Sequence, residues 1–352
     1  MKNTFTYNNF DLIRLLAATQ VLIVHALSHL GFRDSPILDW MYYFPGVPIF
    51  FFASGFLISR SYENSSSLTE YFSKRALRLY PALFLCVFLS TASVFFVGYF
   101  EGVTIPWGEF VGWVFTQASF LQFYNPEFMR GYGVGVLNGS LWTISVEVQF
   151  YIMTPFFYFL INSVFKKRKQ IGWITLLLFF MGTSELTKFL DIQGVAGKLL
   201  GVSFIPWVYM FILGILFQLN FETLHLRLRG RGGLLFAIYL GVCFLGDKWL
   251  GFNFGNSISL IVFLLLAPCV FALSYSVPGL SDSILKRNDI SYGVYIYHMP
   301  VFNAFIYLGL SNQNSLRNLA LASFITFVIA ALSWFILEKP FLKFKRNATY
   351  KH

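Results

Sequence analysis

Charge is scarce in this chain. Of 352 residues, 12% are Asp, Glu, Lys or Arg and 57% are hydrophobic, whereas soluble domains carry about a quarter charged residues. Mean hydropathy is +0.63. A water-soluble core of this size cannot hide that much apolar surface, so lipid must take up the excess. Cysteine is also thin. Cys86, Cys243 and Cys269 are scattered through apolar segments. The odd count and the spacing exclude a disulfide framework and a zinc site, and the three read as small buried hydrophobes. No metal is expected. Fixed-period repeats, low-complexity tracts and long linkers are missing too, which leaves one membrane domain over residues 1–346 and a short tail at 347–352.

What the chain has in quantity is apolar runs bordered by basic residues. The formal net charge is +10, but the lysines and arginines flank hydrophobic stretches as the positive-inside rule requires, so nucleic acid is not an expected partner. Phe is abundant at 44 residues, and 8 Trp and 19 Tyr supply interfacial anchors. The first run follows Asp11 and contains Arg14, with many spans after it, and reads as a retained helix rather than a signal peptide. Ten spans are predicted, at 11–30, 44–60, 79–100, 141–163, 171–190, 202–219, 233–250, 256–276, 291–310 and 316–337. The segment 110–124 is apolar but short, and is predicted as an interfacial or re-entrant helix. Charge parity supports leaving it out of the count. With ten spans, the loop 60–78, the KKRK run at 166–169, Arg227, Arg229 and Arg231, Lys286 and Arg287, and the tail with Lys339, Lys343, Lys345 and Arg346 all fall inside, and both termini are cytoplasmic. The expected fold is therefore an all-α integral membrane bundle of about ten transmembrane helices.

Ionisable residues within spans are costly and rare, which makes each a functional candidate. Arg14 and His25 share the first span. Their separation is about 1100° of helical rotation, so they lie on one face, roughly 16 Å apart along the axis. A snorkelling anchor and a helix-packing histidine would show the same pattern. Glu147 lies at a depth in the fourth span similar to that of His25 in the first. A carboxylate there needs a partner, and a His–Glu pair makes a tuned general base; a structural or proton-relay pair is the alternative. Ser54-Gly55 in the second span permits close helix approach. Arg60 caps the inner end of that span, and Arg75 and Arg78 sit one turn apart at the start of the third. Guanidinium groups suit a phosphate-bearing donor, although ordinary positive-inside charge explains them equally. His298 lies before Pro300 in an aromatic setting, and Glu338 reads as the partner of a basic neighbour.

Taken in order, FDLIRLLAATQVLIVHAL (10–27), FFFASGFLISR (50–60), the RALR of Arg75–Arg78, LWTISVEVQFY (141–151), ISYGVYIYHMP (290–300) and LEKP (337–340) resemble the acyltransferase-3 family of membrane acyltransferases. The resemblance covers nearly the whole chain. It implies transfer of an acyl group, commonly acetyl from cytoplasmic acetyl-CoA, to a hydroxyl of an extracytoplasmic glycan such as lipopolysaccharide O-antigen or exopolysaccharide, possible lipid linkage included. It implies a bacterial inner membrane location and no bound cofactor. By position it makes His25 catalytic with Arg14 its companion and Arg75 and Arg78 donor-side residues. Glu147, Trp142 and Ser54 match positions of less settled role.

The two strands combine into one expectation. Acetyl-CoA places its phosphates near Arg60, Arg75 and Arg78. His25, oriented by Glu147, then acts as base or acyl carrier, with Ser54, Trp142 and His298 in support. A small hydrophobic acceptor such as a macrolide is the alternative substrate. A glycan or solute transporter is the alternative class, against which stands the absence of matching interrupted half-repeats.

Overall fold

The computed structural model describes residues 8–342 apart from Val103, Phe120, Asn314 and Ser315. The basic tail with Lys343, Lys345 and Arg346 and the segment 347–352 lie outside the described residues. The regular elements are helical throughout the described residues: α1 (Phe10–His29), α2 (Pro36–Tyr42), α3 (Gly46–Glu63), α4 (Leu68–Phe96), α5 (Trp107–Gln117), α6 (Trp142–Val164), α7 (Lys169–Leu190), α8 (Gly194–Gly201), α9 (Val208–Leu219), α10 (Phe221–Leu228), α11 (Gly232–Leu245), α12 (Leu260–Ser276), α13 (Leu280–Leu285), α14 (Ser291–Tyr307) and α15 (Leu316–Ser333), with short 3₁₀ and π turns between or after them.

Each of the ten predicted spans falls on a helix, but the helices are not equivalent. Among the described residues seven are long and apolar enough to cross a membrane, or eight if α9 and α10, bent by 87°, form one broken span. The protein is thus a multi-pass membrane protein. The predicted spans at 256–276 and 291–310 are helices of 17 residues each, about 26 Å of rise against a hydrocarbon core of about 30 Å. The short apolar segment forms α5, 11 residues long, about 16 Å and so too short to span.

The loop expected at 60–78 is mostly helix. α3 runs to Glu63 and α4 begins at Leu68. The reason is a cap: Ser67 Oγ accepts the Glu70 N–H at 3.1 Å, while Glu70 Oε2 accepts from both N and Oγ of Ser66 at 2.7 Å. This Ser-x-x-Glu arrangement satisfies one orphan donor of the helix N-terminus, the Glu70 N–H, and ties down Ser66 just before it. Arg75 and Arg78 therefore project from within α4 rather than from its first turn.

The chain divides into two compact units. Unit one comprises Met1–Ala17, Tyr42–Phe72 and Val146–Arg287. Its centre is the crossing of α3 and α9. A Cβ at Gly55 would overlap the Phe211 carbonyl, and one at Gly214 would overlap the Phe52 carbonyl, so both glycines are required for backbone contact. Phe10, Phe56, Phe221, Phe271 and Tyr275 form an aromatic cluster beside this crossing.

Unit two comprises Ala18–Met41, Ser73–Ser145 and Asn288–His352. It is built around α14, most of whose residues are buried. Gly293 lets α14 approach Ala330 of α15 closely. The connection after α4 folds back through its own apolar core of Val94, Phe110, Trp113, Met129, Tyr132 and Leu137. It is pinned by Asn303, whose Oδ1 accepts Val134 N at 3.0 Å and whose Nδ2 donates to the carbonyls of Val136 and Leu137. A buried polar α14 is tolerable because protein groups, not lipid, meet its side chains.

Candidate active site

In unit two the histidines of α1 and α14 meet. His25 Nδ1 and His298 Nε2 are 2.8 Å apart, with the rings stacked at a centroid distance of 5.1 Å. His298 is fully buried between Tyr295 and Phe302 and lies 3.3 Å through Nδ1 from the Val294 carbonyl. His25 is half-buried, and its Nε2 has no hydrogen-bond partner among the described residues. His29, one turn along α1, stands 5.8 Å from the His25 ring.

Local chain chemistry fixes His298 in place. Pro300 cannot donate to the carbonyl four residues back, Ile296, and so frees it. Asn138 Nδ2 takes that carbonyl at 2.8 Å and Cys86 Sγ at 3.2 Å, with Asn138 oriented in turn by Ser140 at 2.6 Å. Thr143 Oγ1 donates to the Tyr295 hydroxyl at 2.8 Å. The helix turn bearing His298 is thereby held from several sides.

Depth along the chain predicts Glu147 as the orienting partner of His25; the partner that the His25 Nδ1 takes is His298. Glu147 belongs to unit one and has its own partners there. Its Oε1 accepts from Tyr151 at 2.5 Å and from Ser54 at 3.2 Å. Tyr151 stands one turn beyond Glu147 on α6, a spacing that is readable in the sequence. Pro155 frees the Tyr151 carbonyl in the same way that Pro300 frees Ile296, and the Tyr71 hydroxyl donates to it at 3.1 Å. Arg14, on α1, is also in unit one and is half-buried.

The three arginines differ in setting. Arg78 is paired with Asp289 and lies 3.8 Å from Glu338, with Trp334 beneath its guanidinium at 5.7 Å. Asp289 is locked by the Ser291 N–H at 3.1 Å and by the Ser291 hydroxyl. Glu338 thus has the basic neighbour its sequence position predicts. Arg75, one turn away, is half-buried. Arg60 lies at the end of α3 in unit one, its carbonyl accepting from Asn64. Trp142 begins α6 in unit two and is half-buried. No group of three or more His, Cys, Asp or Glu able to hold a metal occurs among the described residues.

The arrangement is one imidazole with a ring nitrogen unpartnered among the described residues, backed by a second imidazole, within a helical membrane protein. That can move a proton or carry an acyl group. Comparison with known proteins places the chain in a family. The profile of the acyltransferase domain (acyltransferase-3) matches residues 7–338. Nodulation protein 10 of Rhizobium leguminosarum bv. viciae is 30% identical over 97% of this chain and 94% of its own length. An O-acetyl transferase of Shigella phage Sf6 is 26% identical over 95% and 96%. A peptidoglycan O-acetyltransferase of Listeria monocytogenes is 25% identical over 85% of this chain and 51% of its own length. No solved structure matches. With the family profile spanning residues 7–338, the chain belongs to the acyltransferase-3 family and is a membrane enzyme of the O-acetyltransferase type.

Proposed function

We propose that this enzyme transfers an acetyl group from acetyl-CoA, on the cytoplasmic side of a bacterial inner membrane, to a hydroxyl of an extracytoplasmic glycan such as lipopolysaccharide O-antigen or exopolysaccharide. Ten spans with both termini cytoplasmic belong to the same reading. The observation that carries it is His25: half-buried on the first span, engaged through Nδ1 and without a partner at Nε2 among the described residues. The acceptor class draws support from the relative named as a peptidoglycan O-acetyltransferase.

His25 Nε2 takes the proton of the acceptor hydroxyl as its oxygen attacks the thioester carbonyl. The new C–O bond forms, the C–S bond breaks, and the proton passes to the departing CoA thiolate. A two-step course uses the same nitrogen. Nε2 attacks the thioester and releases the thiolate, the acceptor oxygen then displaces the imidazole, and the hydroxyl proton neutralises the thiolate. Arg75 is the proposed contact for donor phosphate, since guanidinium binds phosphate through forked hydrogen bonds. Glu147, held by Ser54 and Tyr151, is a second ionisable group proposed to act in turnover.

The test is acetyl-ester formation in membranes containing the full-length protein and supplied with labelled acetyl-CoA. Label is expected in a glycan with the wild type and not with His25→Ala. Full activity in His25→Ala would sink the assignment, and absence of any acetyl ester with folded wild-type protein would favour solute transport.

A further inference from the structure

We infer that His298 is the positioning residue of the site: it fixes the tautomer of His25 so that the free lone pair lies on Nε2. This deepens the functional reading above and rests on His25 being the catalytic residue. A carbonyl has no proton to give, so in the contact with Val294 O the proton is on His298 Nδ1. The ring is fully buried, and its hydrogen-bond partners, a carbonyl and an imidazole, bring no countercharge, so it is uncharged. Its Nε2 therefore carries a lone pair and accepts. The 2.8 Å contact then requires the proton on His25 Nδ1, which leaves His25 Nε2 unprotonated.

The chain Val294 C=O, His298, His25 thus runs in one direction and ends on a basic nitrogen. A carboxylate behind a catalytic histidine does the same work in hydrolase triads, where it holds the correct tautomer and ring orientation. Here a neutral imidazole does so, at lower cost for a site inside the bilayer, where a buried charge is expensive. When His25 takes up a proton at Nε2, the lone pair of His298 still faces its Nδ1–H and stabilises the positive ring. The hold on His298 through Pro300, Ile296, Asn138 and Cys86 keeps the acceptor aimed.

Two substitutions separate this role from packing. In His298→Gln a side-chain amide oxygen replaces Nε2 as acceptor; His298→Met fills similar space with only a weak thioether acceptor. In membranes supplied with labelled acetyl-CoA, His298→Met is expected to lower kcat by about a hundredfold or more, in the range for a lost general-base arrangement, with KM for acetyl-CoA changed by less than about threefold. His298→Gln is expected to restore activity to within about tenfold of wild type. Near-wild-type turnover in His298→Met, or equal loss in both variants at unchanged thermal stability, would overturn the assignment. A readout on the wild-type protein itself is the nitrogen spectrum of ¹⁵N-histidine-labelled protein, with the His25 signals identified by their loss in folded His25→Phe. Protonated Nδ1 and bare Nε2 are expected, and the opposite tautomer would overturn the proposal. Activity in His25→Ala would instead remove the functional reading on which it rests.

Discussion

Arg75 and Arg78 look interchangeable in the sequence, two arginines one turn apart on one helix. Their surroundings separate them. Arg78 neutralises two buried carboxylates, Asp289 and Glu338. Removing it breaks a buried ion pair, a loss of about 3–5 kcal/mol. Arg78→Ala is therefore expected to lower the amount of folded protein and its unfolding temperature. Arg75→Ala is expected to weaken acetyl-CoA binding by about tenfold, the loss of one charge-assisted contact. Isothermal titration with acetyl-CoA, beside a thermal-shift measurement on the same samples, separates the two; normal affinity in Arg75→Ala would remove it from the donor site. Glu147 makes a parallel case. Its Oε1 receives two hydroxyls, so Glu147→Gln keeps that one acceptor oxygen and loses the charge. It is expected to lower kcat by about ten- to a hundredfold with little change in KM, as read from steady-state acetyl transfer.

At the scale of the element, the features that matter are those hydropathy does not see. The start of α4 is set by Ser66, Ser67 and Glu70, and a Ser-x-x-Glu pattern announces it in the sequence. An apolar-run search begins instead where charge stops, so it places the helix start too late. The crossing of α3 and α9 was legible in kind, since Ser54-Gly55 marks a close approach, but which helix approaches was not. Phe211 and Gly214 answer that only in three dimensions. Gly55→Val is expected to destabilise unit one by at least the roughly 1–3 kcal/mol typical of overpacking, because backbone has to move; a thermal-shift assay in detergent reports it. The prolines follow the same logic. Pro155 frees a carbonyl that Tyr71 takes, so Tyr71→Phe is expected to cost about 1–3 kcal/mol for a buried acceptor left unmet.

For the whole molecule, the positive-inside rule gives a topology that can be tested directly. Single cysteines at Arg168 and at Asn125, in a background with the three native cysteines replaced, are expected to label from opposite sides of the membrane, Arg168 from the cytoplasm. Labelling of both from one side would change the span count by one. The helices at 260–276 and 291–307 are where the count is most sensitive, because they are short and α14 is clothed in protein. Composition, hydropathy and basic clusters are properties of each stretch of chain. They sufficed for the membrane class, for a helix at every predicted span and for the motifs that carry the family resemblance. Partnership is not such a property. His25 and His298 are 273 residues apart in the chain, and depth in the membrane alone does not say which helix faces which. Only tertiary packing decided that an imidazole stands behind His25 Nδ1, that Glu147 answers to Ser54 and Tyr151, and that Arg78 is engaged by carboxylates. The physical reason is that burial acts on segments one at a time, whereas a hydrogen bond exists only where two side chains are brought within about 3 Å of each other.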